Sequence, residues 1–426
     1  MRNIVMVTYD SLRADHCGYV GYDRDTTPNL DDMAKDGIAF ENAIAPASRT
    51  NPSMAGIFTG KPMVTRDQVS NPKHAHHHLA RHGTIAETMS EQGYSTGAFC
   101  PNAYSSRYYG FDRGFDHFED FLFSSDRYQK VFQKHLSESP LYTLVRNFRN
   151  YLRREEAFKT WDRYIDSIEE WVHEQEEPFF LWVFSLDTHF PHLAPREHRE
   201  WSNLFEQYYY NWRCNQLIDD LDPNLSEKEI NKIINIYDDS IRFGDVLLYE
   251  LQSRLEEFDP IYVIYGDHGE GFGERGIYGH FYPSLYEENI HVPLVVSGRD
   301  IPDQQIEYPI SLLNLPSLVQ DLADPNNGIT IPDNEPVVAT DYDGRTDRNL
   351  TAIKMGNEKF IRKEKKGETS EEFYDLEKDP GETRDLAGTD KNVETMELYR
   401  TMTRRRNIHE TELLGIESAV SQLGKI

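Results

Sequence analysis

The sequence is short of lysine, of cysteine and of long apolar runs, and each shortage excludes something. Three cysteines, Cys17, Cys100 and Cys214, lie far apart in 426 residues. An odd, scattered set is unlike the disulfide framework of a small secreted domain. No apolar run approaches the roughly 20 residues that span a bilayer, so no transmembrane segment is expected. The chain opens directly on a β-rich run, without charged leader or cleavage site, and the expectation is a soluble, cytoplasmic enzyme. Lysine and arginine total 45 against 73 aspartates and glutamates, a formal net charge of −28. Arginine outnumbers lysine 29 to 16. An acidic, lysine-poor surface stays hydrated at high salt and points to a halophilic source. The acidic excess is spread along the chain and leaves no basic stripe, so a nucleic-acid polymer is not an expected partner. Nothing in the pattern encodes an oligomeric state.

What is present is an α/β pattern. Strand and helix signals alternate from residue 1 to about 335, as in a mostly parallel sheet flanked by helices. An Arg/Glu/aromatic-rich insertion from about 121 to 177 contains helical spacing in Trp161, Ile165, Ile168, Trp171 and Val172, and is expected to form helices beside the substrate entrance. Residues 230–255 read as a long amphipathic helix. After a Pro/Asp/Asn-rich stretch, 336–390 reads as a small C-terminal lobe with an antiparallel sheet, and 391–426 as a helical tail.

The chemistry-bearing residues fall at element ends. Asp10 closes the run Ile4-Val5-Met6-Val7-Thr8-Tyr9, and Asp267-His268 follows Ile261-Tyr262-Val263-Ile264-Tyr265-Gly266. Both runs read as buried strands, and ligands gather outside the carboxyl ends of strands in open parallel sheets. Thr50-Asn51-Pro52-Ser53 reads as a helix start with Thr50 as its cap. A hydroxyl there sits in the positive end of the helix dipole, but it needs a base or metal to become a nucleophile. Two carboxylates, one imidazole and this hydroxyl make a site for one divalent cation. Lys73-His74-Ala75-His76-His77-His78 lacks a carboxylate partner and reads as a solvated loop. Gly269-Glu270-Gly271-Phe272-Gly273 lacks the context of a nucleotide loop and reads as a flexible rim.

At these residues the chain resembles the sulfatase family of the alkaline phosphatase superfamily. The resemblance extends through Asp10-Ser11-Leu12-Arg13-Ala14-Asp15, Thr27-Pro28-Asn29-Leu30, Phe58-Thr59-Gly60, Asp187-Thr188-His189-Phe190-Pro191, Gly279-His280, Tyr286-Glu287, Val292-Pro293-Leu294 and Phe373-Tyr374-Asp375-Leu376. It implies an alkaline-phosphatase-like sandwich and a metal held by Asp10, Asp267, His268 and Thr50. It also implies His189 and His280 as groups that stabilise transition-state charge and assist the leaving group, a duty suited to imidazole.

The departures fall on the chemistry. Thr50 stands where the family carries a cysteine or serine that becomes formylglycine, Met54 replaces the motif's arginine, and Tyr9 stands where many members have a first aspartate. The family's Lys-x-His element is absent after Gly93-Tyr94-Ser95-Thr96. These changes resemble the phosphodiesterases and the phosphoethanolamine or glycerophosphate transferases related to sulfatases, which use an unmodified threonine and an Asp-His pair, and so imply a chain close to the phosphodiesterase, phosphonate monoester hydrolase and phosphotransferase members. Hard oxygens with one imidazole favour Mn²⁺ or Zn²⁺, with Ca²⁺ and Mg²⁺ as alternatives. Asn102 reads either as a donor to a substrate oxygen or as a turn residue after Pro101. The expected substrate is an anionic ester, whether small molecule, glycan or lipid headgroup. A phosphodiester or phosphonate ester is favoured, for hydrolysis or transfer to an alcohol. A sulfuric ester is the alternative, and a noncatalytic anion-binding relative is a third reading, which the intact metal set weighs against.

Overall fold

The computed structural model describes residues 1–63, 71–121, 159–217, 225–326, 328–344, 347–365, 367–388 and 395–405. Its centre is a nine-stranded sheet built from β1 (Ile4–Tyr9), β2 (Gly37–Ile44), β3 (Ser95–Phe99), β4 (His117–Glu119), β5 (Phe179–Ser185), β6 (Ile261–Gly266), β7 (His291–Ser297), β8 (Gln304–Ile306) and β9 (Ile310–Ser311). The spatial order is β4-β3-β5-β1-β6-β7-β2-β8, with β9 beside β2. Only β7 runs antiparallel to its neighbours. Every residue of β1, β5 and β6 is buried, which is why these strands read as continuous apolar runs rather than as alternation.

The period of two is still visible in which core each side chain joins. Ile4 and Met6 pack into one layer with Met54, Ile57 and Phe58 of helix α2 (Thr50–Thr59). Val5, Val7 and Tyr9 pack into the other layer with Leu30 and Met33 of α1 (Pro28–Lys35). Helices α3 (Pro72–His82) and α4 (Ile85–Glu91) add side chains to the α2 layer. The α1 layer gains α5 (Ile165–Glu174), α6 (Leu204–Leu217) and α7 (Glu227–Arg254). A short α8 (Glu287–Ile290) leads into β7, and α9 (Leu315–Ala323) closes the α2 side. In α2, Thr50 through Phe58 are all buried, as expected of a helix apolar on every side. Phe58 meets Trp182 edge-on at 4.6 Å, and burial of such a ring contributes about 1.5–3 kcal/mol.

A separate sheet of β10 (Val337–Asp343), β11 (Arg348–Met355), β12 (Glu358–Lys365) and β13 (Glu368–Asp375) is an antiparallel meander. Its Val337, Ala339, Leu350, Ala352, Ile361 and Tyr374 join the α2-side core. On its other face, Ile353, Phe360 and Phe373 pack with Met396 and Tyr399 of a helix over 395–405. Of the expected helical tail, 391–394 and 406–426 lie outside the described residues.

Two expectations are corrected, and a third falls partly outside the described residues. The histidine tract is helical: it forms α3, begun by Asn71, whose side chain accepts from Lys73 N, with Pro72 at the first turn. The part of the expected insertion over 122–158 lies outside the described residues. Its described helix, α5, covers the sheet, with Trp171 pressed against Phe99 and Phe179. The glycine-rich stretch after His268 is pinned rather than loose, because Gly269 N and Glu270 N donate to the carbonyls of Asn289 and Glu288, each at 2.9 Å. A Cβ on Gly269 would lie 2.1 Å from the Glu288 carbonyl oxygen, so close backbone approach requires glycine there.

Candidate active site

Three adjacent parallel strands deliver the site. In the ladder of β1 with β6, Tyr9 faces Gly266 as the last pair, so Asp10 and Asp267 are the next residue of each strand. Asp10 N donates to Ser185 O of β5 at 3.0 Å, and Asp267 N donates to Tyr9 O at 3.2 Å. After β5, Thr188 donates its hydroxyl to Asp10 O, and His189 follows. Ser11 turns the chain with a φ of 61°, a left-handed conformation uncommon outside glycine. The turn aims Ser11 N at Asp267 Oδ1 (3.1 Å) and Ser11 Oγ at Asp10 Oδ1 (2.8 Å).

Thr50 is not the cap the sequence suggested. Arg49 is the capping residue and Thr50 is the first residue of α2. Its hydroxyl donates to His268 Nε2 at 3.1 Å. His268 Nδ1 lies 2.8 Å from Gly269 O, a bond that places the ring proton on Nδ1 and leaves the Nε2 lone pair facing the site. Ser53, one turn along α2, ties the helix to Asp267 O at 2.6 Å.

One oxygen each of Asp10 and Asp267 and a ring nitrogen of His268 lie within 4.8 Å of one another. His268 Nε2 is 3.7 Å from Asp10 Oδ1 and 3.6 Å from Asp267 Oδ2. All three residues are fully buried. Burial raises the pKa of Asp10, but His189, His268 and His280 outweigh it and hold the group below the usual carboxylate range. Burial and the Asp10 charge push Asp267 well above that range. Asp267 Oδ2 has no hydrogen-bond partner. An orphaned, buried carboxylate oxygen beside a second carboxylate calls for a cation, so the residues fit a divalent metal with Asp10, Asp267 and His268 as ligands and Thr50 at its side.

His280 and His189 are brought to the same place. The His280 ring lies 4.5 Å from that of His268 and 5.2 Å from that of half-buried His189. His280 Nδ1 is 3.1 Å from Glu270 Oε1. Burial pushes His280 down to about 4 and Glu270 up to about 7. Asn102 has the turn character, its Oδ1 accepting from Tyr104 N and Ser105 N, while its Nδ2 donates to Asp10 Oδ2 rather than standing free for a substrate oxygen. Tyr9 points away from the metal residues and donates to Gly244 O at 3.0 Å, leaving Asp10 as the acid of its loop. The sequence reading did not identify Ser11, Ser53, Glu270 or the Arg49–Asp341 pair. For Arg49 and Glu270 the available signal was position, directly before Thr50 and two residues after His268.

Residues 2–325 match the family model described as Sulfatase. The chain is 24% identical over 349 residues to an ulvan-active sulfatase of Formosa agariphila, an alignment covering 78% of this chain and 62% of that protein. It is 24% identical over 458 residues to an arylsulfatase of Clostridium perfringens, covering 93% and 92%. Among solved structures, the phosphonate monoester hydrolase of Agrobacterium radiobacter superposes with a TM-score of 0.68 at 18% identity, covering 96% of each chain.

Proposed function

The chain belongs to the sulfatase family, metal-dependent ester hydrolases, and we propose that it cleaves an anionic ester with unmodified Thr50 as covalent nucleophile, phosphodiesters or phosphonate esters being preferred. The observation that carries the reading is Thr50 itself: a hydroxyl 3.1 Å from His268 Nε2, beside Asp10 and Asp267, where the resemblance implies a modifiable cysteine or serine. Buried Met54 in place of the motif's arginine supports it further. The fold shared with a phosphonate monoester hydrolase is compatible with phosphoryl chemistry.

Asp10, Asp267, His268 and Thr50 would hold one divalent ion, Mn²⁺ or Zn²⁺ by donor type. Such an ion lowers the pKa of a nearby hydroxyl and neutralises substrate charge. Thr50 Oγ1 bonds to phosphorus as the bond to the leaving oxygen breaks with its electron pair. The threonine proton passes into the histidine cluster, and His280 or His189 returns a proton to the leaving oxygen. Water or an acceptor alcohol then attacks the Thr50 ester, its proton leaving through the same histidines, and frees the hydroxyl. Glu270 fixes the His280 ring, and Asn102 and Ser11 fix the Asp10 carboxylate.

A sulfuric ester is the second reading, favoured by the sulfatase descriptions of the curated relatives. The proposal takes the chain as a cytoplasmic enzyme of a salt-adapted organism, supported by its −28 charge and its three buried, unpaired cysteines. No helix among the described residues is long and apolar enough to cross a membrane. The test is initial rates on chromogenic aryl sulfate, phosphate monoester, phosphate diester and phosphonate monoester in high salt with Mn²⁺, Zn²⁺ or Ca²⁺. Fastest turnover of the diester or phosphonate, lost in Thr50→Ala with metal binding retained, is the expected result. Turnover retained in Thr50→Ala removes the mechanism, and turnover of the sulfate alone replaces the substrate class.

A further inference from the structure

We propose that Arg49 is a substrate-binding residue whose guanidinium takes an anionic oxygen of the ester, and that the C-terminal sheet holds it in position for that purpose. The inference rests on the reading of Thr50 as nucleophile. Arg49 directly precedes Thr50 with extended backbone, φ −143° and ψ 149°, and makes no side-chain cap bond to its own helix. Its side chain instead reaches β10. Nε donates to Asp341 Oδ2 at 3.2 Å, and Nη2 donates to Asp341 Oδ1 and to Tyr342 O. Ser48 Oγ donates to the same carboxylate at 2.8 Å and accepts from Ser284 N at 3.2 Å. Asp341 is buried, so the clamp is sheltered from water and orients a rigid, planar cation.

That clamp uses only part of the guanidinium. Nη1 donates to no acceptor among the described residues, and it is not one of the enclosed unsatisfied atoms, so its two N–H groups remain available to an incoming group. The side chain is 18% exposed. Arg49 directly precedes Thr50, whose hydroxyl lies 3.1 Å from His268 Nε2, which places it on the site side of the molecule, and its charge acts on His280 and on Tyr104. Tyr104 is itself fixed to α2, because Asn51 Nδ2 donates to its carbonyl at 2.7 Å.

The chemistry of the site calls for such a group. Asp10, Asp267 and Glu270 are acidic, and one divalent ion balances two of them. A sulfuric or phosphoric ester brings further negative charge, which needs fixed donors. The motif position of the family's arginine is occupied by buried Met54, and the Lys-x-His element is absent from the sequence. Arg49 supplies a cation from the opposite side of Thr50 in the chain.

The test uses the full chain loaded with Mn²⁺, with inorganic phosphate and sulfate as probes. Dissociation constants come from competitive inhibition and from calorimetric titration. Arg49→Gln is expected to weaken phosphate binding roughly 10- to 100-fold, the range for a hydrogen bond to a charged group, with Mn²⁺ affinity unchanged. Arg49→Lys restores part of the loss, and Asp341→Asn weakens binding less than Arg49→Gln. Phosphate bound by Arg49→Gln as tightly as by the unsubstituted protein overturns the proposal. Should that variant not fold, unaltered binding in both Arg49→Lys and Asp341→Asn overturns it instead. Failure of the nucleophile reading is separate, appearing as turnover retained in Thr50→Ala whatever the Arg49 variants bind.

Discussion

Replacing Lys359 by methionine should destabilise the protein far more than the same change at Lys354, although the two lysines lie on neighbouring strands and share a partner. Both are buried. Lys359 Nζ is 2.8 Å from Glu287 Oε1 and 2.9 Å from Glu382 Oε1, whereas Lys354 Nζ pairs with Glu287 Oε2. Beyond Lys359, the only cation near Glu382 among the described residues is Arg275, at 3.8 Å. Lys359→Met leaves Glu287 with Lys354 but strips buried Glu382 of its lysine, and removal of one partner from a buried pair costs about 3–5 kcal/mol. Lys354→Met leaves Glu287 still paired with Lys359 and should cost less than half as much. The deficit also has a pH signature. Burial already raises the pKa of Glu382, with Lys359 opposing it, and loss of Lys359 raises it further. A raised carboxyl favours the protonated folded state, so the Lys359→Met deficit is greatest near pH 7.5 and shrinks towards pH 5. Urea unfolding of the metal-loaded chain at fixed high salt, followed by tryptophan fluorescence, gives the difference. Equal costs for the two substitutions, a cost under about 1 kcal/mol, or a deficit that grows towards pH 5 would refute the reasoning.

Three further outcomes are expected. Adding Mn²⁺ should raise the melting temperature of chelator-treated protein by relieving the Asp10–Asp267 repulsion, and Asp267→Asn should abolish most of that rise; differential scanning calorimetry decides it. His192 is fully buried, and burial holds it at about 3. The unfolded chain therefore binds a proton near the ordinary value of 6.5 that the folded chain refuses. Lowering the pH from 6.5 towards 4 should accordingly make His192→Leu more stable relative to the unsubstituted protein, by up to about 1.4 kcal/mol per pH unit. A pH-independent difference in urea midpoints would contradict it. Gly269→Ala drives a Cβ into the Glu288 carbonyl, at 2.1 Å without relaxation. It should cost about 1–3 kcal/mol and weaken Mn²⁺ binding, measured by calorimetric titration, through displacement of the neighbouring His268.

The fold class and the Asp10–Asp267–His268 cluster were legible because their signals are local. β1 and β6 are uninterrupted β-rich runs, and an acid directly after each needs no knowledge of the partner strand. The C-terminal sheet was legible in the apolar centres of its strands, but β10, β11 and β12 extend further into charged residues, of which Asp341, Lys354 and Lys359 are buried against partners distant in sequence. The Arg49–Asp341 pair was not legible, since 292 residues separate its members and no local pattern encodes such a contact. The same holds for the pinning of Gly269 against Glu288, where a glycine chosen for close approach looks in sequence like one chosen for freedom. At α3 the signal was present and outweighed: Asn71-Pro72 is a helix-start pair, and histidine-rich composition was read as loop instead. Thr50 was displaced by one position because Arg49, not a residue preferred at caps, occupies the boundary.

The place of β1 at the middle of the sheet sets a schedule for biosynthesis. Its neighbours, β5 and β6, emerge from the ribosome long after it, and 256 residues separate Ser11 from Asp267, to which it bonds. At bacterial-to-eukaryotic elongation rates of about 5–20 residues per second, that interval is roughly 13–50 seconds. Until β5 is made, the first strand of the nascent chain is an apolar segment without either neighbouring strand, a natural client for a holding chaperone, and until β6 is made one of its edges stays open. The two carboxylates meet only when residue 267 has been made and β6 has docked. A metal held by Asp10, Asp267 and His268 would therefore be taken up late in synthesis, and polypeptides halted earlier carry Asp10 without the two residues that complete the cluster.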